Sequence, residues 1–493
     1  MDPRRQPESD RGDAQRRARD SFFADHGADP AALRVCRGLS CRIAGGSAGA
    51  PLRAERGARP IYCAGFCDRS PVALRPDGAA LGLAGNAPVQ LAPLPAVRSL
   101  GRTPIVSERV ARGEHHALAR ARDAGVWSAL ARAVRGEPET VLRALEASGE
   151  RGRGGGAFPT GTKWRLAAQA RGPERFAIAN GDEGDPGSFV DRVLLEADPH
   201  AVLEGLALCG FAIGARHGIV YVRSEYPRAA QRVGGALAEA RAAGLLGRAI
   251  LGSDFDFDVE VALGQGSYVC GEETALLEAL EGRRGEVRLR PPYPTDRGLF
   301  GAPTVVNNVE TLVNAAWIVR HGPAEYRALG TQGSRGTKAL SLNAGFARAG
   351  LVEVEFGASL AQVIHGASDG RPPAAVALGG PMGSVLRREQ WDVPICYEAL
   401  GERGIALGHG GLVALPEGTD FAAVARDWLA FMADESCGKC TPCRVGSRKA
   451  AELARRGERR ELVELLHVVA QTSLCPFGQS IPGPVRTLLE LAG

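Results

Sequence analysis

Between about residues 110 and 325, stretches with apolar residues at helical spacing alternate with short continuous apolar runs such as 176–179 and 219–222. Runs of this length suit buried strands, and their alternation with helices predicts an α/β layer on a largely parallel sheet. One helix start is legible. Asp198-Pro199 ahead of Val202, Leu203, Leu206 and Ala207 reads as an N-cap followed by proline in the first turn. From 335 to 415 short β-like runs, as at 352–356, have glycines between them, which predicts a small separate α+β domain. Residues 420–493 are mostly helical in pattern. Ahead of all this, 29–85 form a small cysteine-bearing unit, and 86–109, rich in Pro and Leu as far as Pro104, read as a linker. Residues 1–28 read as a disordered tail, because 1–19 mix Arg, Asp, Glu and Gln with no apolar segment behind them. The chain shows no internal repeat.

A length of 493 residues suits two to four domains rather than a single core. The net charge of +4 is small, and the basic residues are scattered among acids, which argues against nucleic acid as a partner. With no run approaching eighteen apolar residues, a cytoplasmic protein without direct membrane insertion is expected. Of the 60 basic residues only Lys163, Lys338, Lys439 and Lys449 are lysine. A site that keeps a compact point charge against that bias is worth following.

Eleven cysteines fall into two groups, Cys36, Cys41, Cys63, Cys67 and Cys437, Cys440, Cys443, Cys475, with Cys209, Cys270 and Cys396 as singles read as small buried residues. In a chain with no export signal, such groups point to metal or cluster ligation rather than disulfides. Cys437-Gly-Lys-Cys440-Thr-Pro-Cys443 can present three thiols to one centre, and Cys475-Pro476 supplies a remote fourth. That spacing resembles four-iron ligation in bacterial ferredoxins, whereas structural zinc more often takes two separated pairs; zinc and inert thiols stay open as alternatives. Lys439, between ligands, either offsets cluster charge or is a solvated surface lysine.

Three further segments carry candidate chemistry. In Gly152-Arg-Gly154-Gly-Gly-Ala-Phe158-Pro-Thr-Gly161-Thr-Lys163 the glycines let backbone N–H groups approach a phosphate that a lysine can neutralise, though a plain flexible loop has the same composition. The order matches neither a G-x-G-x-x-G turn nor a P-loop. Asn180-Gly-Asp182-Glu183-Gly-Asp185 ends a strand, the edge where α/β sheets bind ligands, with a Gly/Asp turn as the alternative. In Gly264-Gln-Gly-Ser-Tyr268-Val-Cys-Gly271-Glu272-Glu273, the acids either meet a ligand or complement a helix dipole. Asn307 and Asn308 either meet a cofactor or cap the next helix.

Together, and in this order, the glycine loop, the Asn-x-Asp-Glu strand end, Cys270-Gly-Glu-Glu-Thr-Ala-Leu, Asn307-Asn-Val-Glu-Thr-Leu and Glu435-Ser-Cys-Gly-Lys-Cys-Thr-Pro-Cys-Arg resemble the NADH-binding flavoprotein subunit of respiratory complex I. The same family serves NAD-linked hydrogenases and formate dehydrogenases. The likeness spans about 110–493. It implies an α/β multidomain protein with a Rossmann-like FMN/NADH domain (110–330), a β-grasp domain (335–415) and a C-terminal helical bundle holding a 4Fe-4S cluster (420–493).

The resemblance assigns Gly152, Gly154 and Lys163 to the FMN phosphate and ribityl chain, and Asn180, Asp182, Glu183, Gly271, Asn307 and Asn308 to the flavin surroundings. Phe158 and Tyr293 are assigned to the adenine of the dinucleotide. Glu273, with Glu272, is assigned to its nicotinamide amide or ribose. These acids and Asp185 favour NAD over NADP. Three departures stand out: Gly156-Ala157 reverses the family's Ala-Gly, Asp185 replaces a glutamate, and Leu166 stands where a second aromatic is expected. Hydride transfer to the flavin needs no nucleophilic side chain, so the site residues bind rather than catalyse.

The N-terminal cysteines, in Cys36-x4-Cys41 and Cys63-Ala-Gly-Phe-Cys67-Asp-Arg-Ser-Pro, resemble a thioredoxin-like two-iron ferredoxin fused to the chain, with 45–51 in the place of a helix. A 2Fe-2S cluster, zinc and an empty remnant are the three readings. The implied protein is a diaphorase subunit partnered by a molybdenum- or nickel-containing catalytic subunit and other iron–sulfur subunits, in a formate dehydrogenase or hydrogenase. The rivals are a complex I subunit and a zinc-stabilised scaffold that has lost its flavin.

Overall fold

The computed structural model describes residues 32–45, 58–84, 87–113 and 115–493. The expected tail, 1–28, and most of the segment 45–51 lie outside the described residues.

The apolar runs of the central region form one four-stranded, wholly parallel sheet in the order Thr304–Asn308, Phe176–Gly181, His217–Val222, Asp258–Leu263. Each inner strand is buried on both faces because helices pack on either side. The helix Pro199–Ile213 is buried along its whole length and packs on Val309–His321. Its start differs from the expected cap. Asp198 makes no side-chain cap bond, because buried Arg109 takes its carboxylate at 2.6 Å. The strand order reverses between Phe176–Gly181 and Thr304–Asn308, so a crevice opens beside their C-terminal ends at Asn180 and Asn308.

A second sheet of six mixed strands runs Ser384–Arg387, Ala375–Leu378, Gly411–Leu415, Thr337–Leu342, Gly350–Glu355, Val97–Ser99. The third, at the N-terminal end, runs Arg59–Ile61, Arg34–Cys36, Val72–Leu74, Ala80–Gly82, Val89–Gln90, with its first pair parallel and the others antiparallel. The segment read as a linker therefore supplies an edge strand to each of these sheets. It is pinned further by Glu353, whose carboxylate accepts from the Ile105 and Ser107 amides, both at 2.8 Å. Two- and three-residue strands between prolines carry too little alternation to be legible in sequence.

The C-terminal part is helical: Phe421–Glu435, Thr441–Arg456, Arg459–Thr472, Pro476–Ser480 and Pro482–Leu491. Trp428, Leu429, Met432, Leu466, Ile481 and Leu488 form their shared core. No helix among the described residues is long and apolar enough to cross a membrane.

Candidate functional site

The crevice at the strand ends opens into a cleft of about 560 Å³ whose walls come from all three C-terminal regions. Gly154, Gly155 and Ala157 form one rim and the strand end at Asn180, Asp182, Glu183 and Asp185 the floor. Tyr268, Gly271 and Glu272 form a second wall, Leu407 to His409 a third, and Cys475 to Phe477 close the far end.

Several sequence-assigned residues meet here. Asn180 donates to the Gly271 carbonyl at 2.8 Å, tying two of the motifs together. Asn308 caps its helix by accepting from the Glu310 amide, and its Nδ2 donates to Asp191 Oδ2 at 2.7 Å. The capping role is therefore the one seen directly, with the amide held at the cleft by Asp191. The glycines act by being small. A Cβ on Gly154 would sit 3.1 Å from Asn308 Cβ, and one on Gly271 3.1 Å from the Asp182 carbonyl. The Gly156-Ala157 reversal has a visible cost, because Ala157 has φ +49°, a left-handed conformation that strains any residue with a Cβ.

Other assigned residues stand elsewhere. Gly152 bonds across the base of the loop, its amide to the Phe158 carbonyl at 2.9 Å. Asn307 is buried behind the sheet edge, where its Oδ1 accepts from Trp164. Lys163 pairs with Glu273 at 2.9 Å and also donates to the Val306 carbonyl at 2.8 Å. Glu272 caps the helix Glu273–Leu280 through the Thr274 and Ala275 amides, the structural alternative for an acid at that position. Arg290 pairs with both Glu272 and Glu273. Phe158 and Tyr293 do not line the cleft; both are exposed aromatic faces at the surface.

The cleft is acidic and its acids are buried. Burial pushes Asp182 up to about 8 despite Arg223, and Asp182 Oδ2 has no hydrogen-bond partner. Burial, then the neighbouring Asp191 carboxylate, push Glu183 up to about 7. Burial likewise pushes Glu435, whose carboxylate accepts from the Tyr268 amide at 2.9 Å, up to about 7. Sequence reasoning missed His409. Its ring lies 3.0 Å from Asp191 Oδ2 and 3.4 Å from Glu183 Oε1. The only signal was a bulky polar residue set among glycines, Gly408-His409-Gly410-Gly411. Arg153 was missed too. Fully buried, it pairs with Glu150 at 2.7 Å and donates to the Thr337 carbonyl, joining the parallel sheet's domain to the six-stranded one.

At the far end the four C-terminal cysteines converge. Cys440 precedes the helix Thr441–Arg456, and Cys443 lies in its first turn beside Cys437, Cys440 and Cys475. The Phe477 and Gly478 amides point at the Cys475 sulfur. Among the described residues the one trio of His, Cys, Asp or Glu ligand atoms mutually within 4.8 Å lies elsewhere, at Glu183, Asp191 and His409. Lys439 pairs with Glu286 at the surface, 3.2 Å away.

The N-terminal cysteines are also buried together. Cys63 and Cys67 sulfurs are 3.3 Å apart, and Cys36 touches both Cys41 and Cys63 while its sulfur accepts from the Gly38 and Ala64 amides at 3.4 Å. Arg223 links this unit to the cleft, donating to the Tyr62 carbonyl at 2.9 Å and to the Glu183 carbonyl. Cys209, Cys270 and Cys396 are each buried.

Comparison with known proteins fits this geometry. Residues 145–317 match the Nuo51 FMN-binding domain, and 423–491 match the NADH-ubiquinone oxidoreductase-F iron-sulfur binding region. The chain is 43% identical to the NADP-reducing hydrogenase subunit HndC of Solidesulfovibrio fructosivorans over 74% of its own length and 76% of the relative's. It is 38% identical to an F-type subunit of NADH-quinone oxidoreductase from Rhizobium meliloti, over 78% and 95%. A chain of the crystal structure of NAD+-reducing [NiFe]-hydrogenase in the H2-reduced state superposes with a TM-score of 0.81 at 30% identity, covering 98% of this chain and 86% of that one. These matches place the chain in the NADH-quinone oxidoreductase F family of NAD-dependent flavin iron–sulfur oxidoreductases.

Proposed function

We propose that the chain is the diaphorase subunit of an NAD-dependent hydrogenase-type assembly, exchanging hydride with NAD(H) at FMN and electrons with the cluster of Cys437, Cys440, Cys443 and Cys475. The observation that carries this is the shared wall: Cys475 lines the same cleft as Asn180, Asp182 and Gly271. FMN bound there supplies the conversion between two-electron hydride chemistry and one-electron transfer. The protein's own part is to position and to exclude water. Gly154 and Gly271 admit the ring and its chain closely, Asn180 and Asn308 offer amides, and Tyr268 packs between the cleft and Phe477.

In this reading Lys163 is the counter-charge for the phosphate and exchanges Glu273 for it when FMN binds. Phe158 and Tyr293, exposed without the dinucleotide, sandwich its adenine. Glu272 and Glu273 favour NAD, although Lys163 and Arg290 offset much of their charge.

The fused N-terminal unit supports a hydrogenase-type partner over complex I. The hydrogenase chain superposes over 98% of this one, a span that includes the N-terminal unit. The parallel-then-antiparallel strand order of that unit is the thioredoxin-like arrangement expected there, and its paired sulfurs suit a two-iron cluster. The six-stranded domain serves as the β-grasp domain. A nickel-containing partner and a cytoplasmic site of action follow, with a molybdenum formate dehydrogenase as the second reading. The test is anaerobic purification of the native assembly. Flavin and iron–sulfur absorption that bleaches with NADH, together with co-purifying nickel, is expected. A colourless protein sinks the proposal, and molybdenum in place of nickel sinks its choice of partner.

A further inference from the structure

Buried polar groups with no partner mark places where a fold has been shaped for something other than stability. Three such atoms belong to residues that line the cleft: His409 Nδ1, Asp191 Oδ1 and Asp182 Oδ2. His409 is the only residue with a side chain beyond Cβ between Leu407 and Leu412, and the turn that carries it is shaped by Gly408 (φ +54°) and Gly410 (φ +89°). The turn thus delivers one imidazole to the cleft floor.

There the ring is surrounded from several elements. Asp191, on the helix Val190–Ala197, meets its Nε2 at 3.0 Å. Glu183, on the loop after the strand Phe176–Gly181, faces its Nδ1 at 3.4 Å. Asn308, the cap of Val309–His321, lies 3.1 Å from Nε2. Lys338 and Asp185 also act on it at longer range, Lys338 already committed to Glu310. Glu183 is held in turn by the Asp191 and Arg192 amides at 3.2 and 3.1 Å. Two carboxylates of fixed position therefore flank one ring, and both line the same cleft.

Resting on the FMN reading above, we propose that His409 is a positioning residue that carries a proton between Asp191 and Glu183, leaving the cleft floor with one negative charge from these two carboxylates instead of two. An anionic cofactor, and more so its electron-rich reduced form, is better tolerated over a floor of lower negative charge. Removing that proton leaves both carboxylates uncompensated, with Asp191 still held by the Asn308 amide.

Burial alone opposes the charged ring, but the Asp191 carboxylate, ahead of Glu183, more than offsets it and holds His409 up to about 9. The sign follows. Below about 6.5 an imidazole is protonated with or without its neighbours, and between there and about 9 it stays protonated only in the folded site. The His409 contribution to FMN binding is therefore lost as pH rises through about 9, above the separate changes at Glu183 near 7 and Asp182 near 8.

The experiment uses the whole assembly, reversibly depleted of flavin, and reads FMN affinity by fluorescence quenching from pH 6 to 10 along with the FMN midpoint potential. Wild type is expected to bind FMN about tenfold more weakly above the break near 9 than below it. His409→Gln, which keeps a hydrogen-bond donor but no charge, is expected to bind more weakly than wild type below 9 and to lack the break near 9. Its midpoint potential is expected to fall by about 30 mV, the equivalent of a tenfold loss for a two-electron couple. Asp191→Asn, in case the first variant folds poorly, should move the break to lower pH.

Wild type that holds FMN but shows no break, or a His409→Gln profile that superimposes on wild type, overturns this inference while leaving the function intact. Wild type that cannot hold FMN at all overturns the functional reading instead. A stoichiometric divalent metal lost in His409→Gln would also overturn it, since the three groups would then be ligands.

Discussion

Lys163 and Glu273, each matched by sequence to a different ligand, are bonded to one another, Nζ to Oε2 at 2.9 Å. The pair lies at the seam between the glycine loop's helix Thr160–Gln169 and the helix Glu273–Leu280. Without FMN phosphate, the lysine's charge is spent on the acid that otherwise faces the dinucleotide. Lys163→Ala is expected to weaken FMN binding by roughly 10- to 150-fold, the loss of one charge-assisted bond of about 1.5–3 kcal/mol. Flavin per four irons in the purified assembly reads this directly, and full occupancy would remove Lys163 from the phosphate site.

Glu273 itself sits between two cations, because Arg290 approaches it at 3.2 Å. Glu273→Gln takes one carboxylate from beside Arg290, leaving it Glu272 alone, and a site with less negative charge is less hostile to a 2′-phosphate. The ratio of kcat/KM for NADPH over NADH should rise by roughly tenfold, at about 1.4 kcal/mol of discrimination. An unchanged ratio would place nucleotide selection elsewhere.

How far can these relations be read from sequence? The strand ends, the glycine loop and the cysteine spacing are legible because each depends on local periodicity or on residue types a few positions apart. The Lys163–Glu273 pair, the seat of His409 and the anchoring of Arg153 are not. They join segments 110, 218 and 184 residues apart, and only long-range packing decides them. Asn308 shows the intermediate case: its cap is foreseeable from the residues that follow, but its grip on Asp191 is not. The edge strands inside 86–109 are hidden because their partners lie far along the chain or are themselves too short to read.

Ala157 gives a test of backbone strain. At φ +49° its Cβ costs about 1–2 kcal/mol, of which glycine's extra unfolded-state freedom takes back about 0.5–1. Ala157→Gly is expected to raise the stability of the chain by up to about 1 kcal/mol, visible as a higher thermal midpoint with FMN occupancy retained. A lower midpoint would mean that the methyl packs on something that outweighs its strain.

Cys443 lies in the first turn of its helix with Ser436 Oγ at 3.3 Å from its sulfur, and a Cβ on Gly478 would come within 3.2 Å of its own. Serine fits this space but is a poor ligand for iron. Cys443→Ser should lower the C-terminal cluster's iron, seen as loss of its signal in the reduced assembly, while flavin still binds and still bleaches with NADH. Electron delivery to one-electron acceptors should fall at least tenfold. Retained cluster and delivery would take Cys443 out of the ligand set.

Asp182 sets binding against stability. Its Oδ2 is buried in the cleft floor with no partner, and burial holds the carboxyl near 8. An ordinary aspartate loses its proton near 3.9 when unfolded. Between about 4 and 8 the flavin-free folded protein therefore holds a proton that the unfolded chain releases, so its stability falls as pH rises across that window and levels off above about 8. Asp182→Asn removes the ionisation and keeps the shape. Flavin-depleted Asp182→Asn should be more stable than wild type at pH 8 by about 1–3 kcal/mol, the cost of an unsatisfied buried group, and the gap should close toward pH 4. The same variant should bind FMN more weakly, because the oxygen without a protein partner is the one available to the cofactor. Thermal unfolding of both proteins across pH 4–9, read beside FMN affinity, separates the two effects. A variant that gains no stability at pH 8 would mean that water or a neighbour already satisfies Oδ2, and one that gains stability without losing affinity would remove Asp182 from the flavin site.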